Sequence, residues 1–178
     1  MALIKLNLAQ GVTGTLPTSN YTSGITMLDQ WRVNTTFTND AEPITANWER
    51  VDTDSFAQIG TGMTESSGIF TFPSTGIYHI SFNLQTFNTL DNAYTNARIL
   101  ITTDNSSYDI ASDGWNGAKA IASTTMYYLS HCETVFDVTN TSTHKVRFHS
   151  RVWENSTSTW GDSNKNTTYV TFKRIGDT

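Results

Sequence analysis

Residues 68–82, Gly68-Ile69-Phe70-Thr71-Phe72-Pro73-Ser74-Thr75-Gly76-Ile77-Tyr78-His79-Ile80-Ser81-Phe82, decide the fold. Pro73 and the Thr75-Gly76 pair force a turn, because proline fixes one backbone torsion and glycine reaches torsions closed to other residues. Beyond the turn, Tyr78, Ile80, Phe82 and Leu84 fall on one side of an extended chain, and Ile77, His79, Ser81 and Asn83 on the other. One side is therefore core. A ring-bearing face of this length is long enough to span a sandwich of two sheets.

Period-two alternation recurs on both sides of this stretch. Trp31, Val33, Thr35 and Phe37 alternate, residues 48–51 and 69–72 read as further short alternating strands, and residues 97–101 follow the long strand. The segment from there through Gly117, rich in Asp, Asn, Ser and Gly, reads as a loop. An apolar stretch at 121–129, a strand at 134–138, the alternating Val146, Phe148, Ser150 and Val152, and residues 169–172 complete the series. Eight or more strands between turn signals, with no helical period, indicate an all-β sandwich or jelly-roll. Composition agrees: aromatic residues make up 12% and charged residues only 15% of 178 residues, which leaves Thr, Ser and Asn to build the surface.

The first residues have another character. Leu3 and the alternating Ile4, Leu6 and Leu8 precede Gly11, Gly14 and Pro17, so residues 1–26 read as an arm and residues 27–178 as the domain. A short alternating segment has unpaired backbone groups and must dock, either on a partner's sheet edge or on its own domain. Lys5 and Asn7 interrupt the apolar run, so no secretory signal is expected, and no apolar run approaches the ~18 residues of a membrane span. Synthesis in a cytoplasm without membrane insertion is the expectation. The net charge of -5 and the absence of a Lys/Arg cluster argue against nucleic acid. Cys132 is the only cysteine, so an intrachain disulfide is impossible.

The phrase at 68–82 resembles the central signature of complement C-one-q globular heads and their tumour-necrosis-factor-like relatives. Phe70, Gly76, Tyr78 and Phe82 stand in register with that signature, Ile80 replaces its middle Phe, and Gln58 and Met63 do not match its upstream positions. Tyr169 and Phe172 stand where the last strand of the family lies. The resemblance implies an antiparallel jelly-roll that assembles as a homotrimer, with Phe70, Phe72, Tyr78, Ile80, Phe82, Phe148, Tyr169 and Phe172 in the core or the trimer seam. It also implies a binding module or structural head with no catalytic motif position. Gly11-Val12-Thr13-Gly14-Thr15-Leu16-Pro17, followed by Asn20, is similar to a phrase common in bacteriophage tail-fibre and minor virion proteins.

Several groups invite chemistry. Glu49, Asp52 and Asp54 lie close together, and glycoside hydrolysis needs two carboxylates, one with a raised pKa; acidic pairs at loop edges are as a rule solvated, so no catalytic residue is expected. His131 and Cys132 are adjacent and would point to opposite faces of a strand, which prevents a nucleophile-base contact. His79, His131, His144 and His149 are not spaced as zinc ligands, and Asp104, Asn105, Asp109 and Asp113 lack the spacing of a calcium loop, so no metal or other cofactor is expected. Trp115, Trp153 and Trp160 read as loop residues. Their indoles could stack on a sugar or on a partner's side chain, or could cap the sandwich and fill a trimer seam.

The functional expectation is a bacteriophage virion structural protein: a trimeric capsid decoration, or cement, protein whose arm pairs with a major capsid protein or another virion protein. No heptad or repeat offers a fibre shaft. The alternative is the receptor- or carbohydrate-binding tip of a tail or head fibre. A third reading, a lectin-like or cytokine-like head, would need a secretion route.

Overall fold

A computed structural model of the protein describes residues 24–90, 93–117 and 124–178; Leu3, Ile4, Leu6 and Leu8 lie outside the described residues. The described chain forms β1 (Met27–Val33), β2 (Thr35–Thr38), β3 (Trp48–Arg50), β4 (Thr64–Ser66), β5 (Ile69–Thr71), β6 (Gly76–Asn88), β7 (Tyr94–Thr102), β8 (Asp109–Gly117), β9 (Met126–Val138), β10 (Lys145–Val152), β11 (Ser158–Asp162) and β12 (Tyr169–Gly176). One seven-stranded sheet runs β2-β11-β6-β12-β1-β3, with β9 on the other edge of β6; a five-stranded sheet runs β4-β5-β10-β7-β8. Every pairing is antiparallel, and the chain crosses between the sheets repeatedly, as a jelly-roll requires.

The long strand behaves as its alternation demands. Tyr78, Ile80, Phe82 and Leu84 on β6 are fully buried, while the residues between them are half-exposed. The Tyr78 hydroxyl donates to the Ser74 carbonyl at 3.0 Å, so the ring that anchors the strand also closes the turn before it. Gly76 sits at φ +143°, and a Cβ there would collide with the Arg174 guanidinium, which is why this turn needs glycine.

The core is a cluster of rings between the sheets. Phe70 packs edge-on against Trp31, Trp48 and Phe148 with centroids 5.2–5.6 Å apart, and Phe148 lies 5.0 Å from Phe82. Each such pair adds about 0.5–1.5 kcal/mol to the burial of the rings themselves. Phe70, Phe72, Tyr78, Ile80, Phe82, Phe148 and Phe172 are all in this interior. Tyr169 lies on the opposite face of β12, paired with Asn83 and half-exposed.

Three elements depart from expectation. The segment read as a loop through Gly117 is strand β8, paired along its length with β7. It lacks apolar alternation because it passes directly over β9: a Cβ on Gly114 would collide with the His131 carbonyl, and Asn116 Nδ2 donates to the Leu129 carbonyl at 2.9 Å. Small and polar residues are what such a crossing admits, and they close one edge of the sandwich. The separate apolar runs expected at 121–129 and 134–138 meet in one thirteen-residue strand, β9, which takes in residues 126–129 of the first; residues 121–123 lie outside the described residues. β11 pairs with both β2 and β6 through Ser158 and Thr159, which carry no hydrophobic signal.

Candidate functional site

Two exposed surfaces carry aromatic groups, one on each sheet. On the outward face of the seven-stranded sheet, Phe87 and Gln85 of β6 stand opposite Tyr127 and Leu129 of β9. Trp160 of β11 lies 5.1 Å from the Tyr127 ring and 6.1 Å from Phe87. Tyr127 and Leu129 are each 55% exposed, and Val135, further along β9, is 58% exposed. Between these apolar groups lies a polar band in which His79 Nε2 approaches Glu133 Oε2 at 3.2 Å and His131 Nδ1 lies 3.1 Å from Asn83 Oδ1. Alternation produces this face directly: the intervening residues of β6 and β9, among them Tyr78, Phe82, Cys132 and Phe136, point inward and are buried. A row of half-open apolar side chains on a strand pair marks a surface that other protein covers.

On the outward face of the five-stranded sheet, Tyr94 stands between Trp115 and Trp153, with ring centroids 4.8 Å and 5.7 Å away. The indoles are 53% and 63% exposed. The tryptophans expected on loops are corrected here: Trp115 lies on β8 and Trp160 on β11, and only Trp153 lies in a connection, just past β10. Trp115 and Trp153 are brought together, while Trp160 belongs to the other sheet. The Trp115 Nε1 donates to Asp113 Oδ2 at 2.9 Å, which fixes its indole. Beneath the rings, the register places Asn96 between Arg151 and Trp115, and Arg98 between His149 and Asp113. Glu42, from the segment before β3, reaches this row: its carboxylate accepts from Arg151 Nε at 2.5 Å and lies 3.3 Å from His149 Nδ1. Burial, reinforced by Arg147 and Arg98 against the opposing pull of Glu42, pushes His149 down to about 4. Sequence reasoning missed Tyr94, Asn96, Arg98, His149 and Glu42 as neighbours of the tryptophans, since they meet only through strand register.

The acidic candidates are held by cations. Arg32, whose side chain is 1% exposed, binds Glu49 at 2.5 Å and Asp52 at 2.7 Å through Nη2. The Arg32 hydrogen bond holds the Glu49 carboxyl below its ordinary range, the opposite of what a general acid requires. Asp52 and Asp54 lie past the end of β3 and share no strand face; Asp54 is in a turn at φ 57°. His131 and Cys132 point to opposite faces, as their adjacency implied, and burial pushes the Cys132 thiol up to about 12. Asp104 caps the β7–β8 turn, accepting from the Ser106 and Ser107 amides at 2.8 Å each, and is held low chiefly by the Ser107 amide. Among the described residues no group of three or more His, Cys, Asp or Glu is placed to hold a metal ion, and no helix is long and apolar enough to cross a membrane.

Comparison with known proteins supports the architecture. Murine APRIL at pH 8.5 is similar over 84% of this chain and 98% of that chain, at 10% identity and a TM-score of 0.58; at pH 5.0 the identity is 12% and the TM-score 0.59. The Eiger TNF of S. frugiperda is similar over 87% of this chain and 96% of that chain, at 10% identity and a TM-score of 0.58. The fold is thus a TNF-like two-sheet antiparallel jelly-roll. No family model matches the chain. No curated protein matches it.

Proposed function

We propose that the chain is a non-enzymatic homotrimeric head in a bacteriophage virion, acting as a capsid decoration protein anchored through residues 1–26. The observation that carries the trimer is the half-open apolar row of Phe87, Tyr127, Leu129, Val135 and Trp160 on the outward face of the seven-stranded sheet. A closed three-fold assembly covers the same patch on every copy and leaves none over, and the TNF-like fold is consistent with it. The alternation of Ile4, Leu6 and Leu8 supports docking of the arm on a sheet edge of a capsid protein. The test is binding to undecorated capsids: the full chain binds and a Leu6→Asp/Leu8→Asp variant of unchanged trimer mass does not. Failure of the full chain to bind would end the decoration reading.

A second reading is favoured by a separate observation. Exposed Trp115 and Trp153, with half-buried Tyr94 between them, lie on the sheet opposite the proposed trimer seam, where a receptor- or carbohydrate-binding fibre tip would carry its site.

A further inference from the structure

We infer that the outward face of the five-stranded sheet binds a saccharide bearing a carboxylate, which stacks on Trp115, Tyr94 and Trp153 and is oriented by Arg98. The inference rests on the second reading above, that this surface recognises glycan, and adds the class of sugar.

The three rings form a surface that is open to solvent yet bordered by Asn96, Asp113 and Arg151 rather than by aliphatic groups. Such a surface suits a ligand that is apolar on one face and ringed with hydroxyls, which describes a pyranose, better than an apolar peptide side chain. The polar groups beneath the rings are incompletely used. Asn96 is fully buried and its Oδ1 has no hydrogen-bond partner; His149 is buried, with Nδ1 3.3 Å from Glu42 and Nε2 without a partner. Native proteins rarely leave buried polar atoms unpaired away from sites of function.

The charges in this row choose the ligand. Glu42 is committed to Arg151, and Asp113 to the Trp115 indole. The Arg98 guanidinium lies 3.9 Å from Glu42 and 4.0 Å from Asp113, beyond hydrogen-bonding distance, and its buried Nε has no partner. Arg147 rests on the Tyr108 ring at 4.0 Å. Three arginines, Arg98, Arg147 and Arg151, thus stand near two carboxylates, of which Glu42 bonds Arg151 and Asp113 bonds the Trp115 indole. A planar donor with two carboxylates at ion-pair distance but no hydrogen bond to either, 5.8 Å from an exposed indole, is complementary to a carboxylate carried by a stacked sugar ring.

The test is titration of the full chain, followed by NMR or calorimetry, with sialylated and uronic-acid oligosaccharides and with their uncharged counterparts. Carboxylated sugars are expected to bind with a Kd about tenfold or more below that of the uncharged ones. Trp115→Ala, Trp153→Ala and Arg98→Gln each weaken binding by about tenfold or more, while Trp160→Ala leaves it unchanged. Trp153 is an exposed position, so its variant tests the site even if Arg98→Gln fails to fold. Equal binding of charged and uncharged sugars, lost in Trp115→Ala, would overturn the carboxylate and leave the glycan-binding tip standing. No binding of either class would overturn both, and carboxylated binding indifferent to Trp115→Ala and Trp153→Ala would overturn the site.

Discussion

Replacing Arg32 by Met removes one cation from between two carboxylates and a threonine. The guanidinium is buried, with Nη2 shared between Glu49 and Asp52, Nε 3.1 Å from Glu49 and Nη1 2.9 Å from Thr53. Breaking a fully buried pair from one side costs about 3–5 kcal/mol, because the remaining charge is uncompensated. Here Glu49 is 25% exposed and Asp52 is 70% exposed, so water recovers part of that and the expected loss is about 2–4 kcal/mol. Methionine fills most of the aliphatic volume, which keeps the packing loss small. The double variant Arg32→Met/Glu49→Met removes both charges and should recover most of the stability. Urea unfolding at fixed protein concentration measures both. Glu49 adds a sign: its folded pKa is lowered, so its contribution is present above the ordinary glutamate value and is lost as pH falls through the lowered one, and Arg32→Met should flatten that acid limb. A cost below about 1 kcal/mol for the single variant, or a double variant no better than the single, would refute the structural role assigned to these carboxylates.

In the proposed trimer, Leu129→Asp places three charges in the seam. Each copy forfeits about 1 kcal/mol of apolar burial and adds a desolvation cost of several kcal/mol, so sedimentation should show folded monomers; an intact trimer would place the interface elsewhere. Unfolded His149 binds its proton near 6.5 and the folded residue only at about 4, so the unfolded state holds more protons between those values. Stability should therefore fall as pH drops across that window, by about 3 kcal/mol at most, and His149→Gln should lose this slope; identical pH profiles for the two proteins would contradict it. Gly114→Ala forces β8 away from the His131 carbonyl and should lower stability by about 2 kcal/mol or more, with amide exchange in β8 and β9 accelerated; a neutral substitution would show that the crossing is loose.

The interior was legible wherever apolar side chains alternate. Residues 68–82 identify the turn, the long strand and its buried face, because in β6 burial follows the residue parity without interruption. β8 was not legible, since its inward positions Ser112, Gly114 and Asn116 are selected for closeness to β9 rather than for hydrophobicity, and its larger apolar residues, Ile110 and Trp115, are exposed. The same holds for β11, whose buried Thr159 pairs through its hydroxyl with Ser150 at 2.7 Å. At the aromatic site, Trp115 and Trp153 stood out as large rings in polar surroundings. Their neighbours Tyr94, Arg98, His149 and Glu42 come from separate strands and one distant segment, and no spacing along the chain announces that register. Glu49 and Asp52 looked paired from their proximity; the cation that claims them lies on β1, where sequence distance hides it.

The central claim is that the outward face of the seven-stranded sheet is buried among three copies of the chain. Sedimentation equilibrium of the unmodified protein at micromolar concentration tests it most directly. The account requires a species of three times the 19.8 kDa chain mass, with no dissociation on dilution through that range. A stable 19.8 kDa monomer would contradict it.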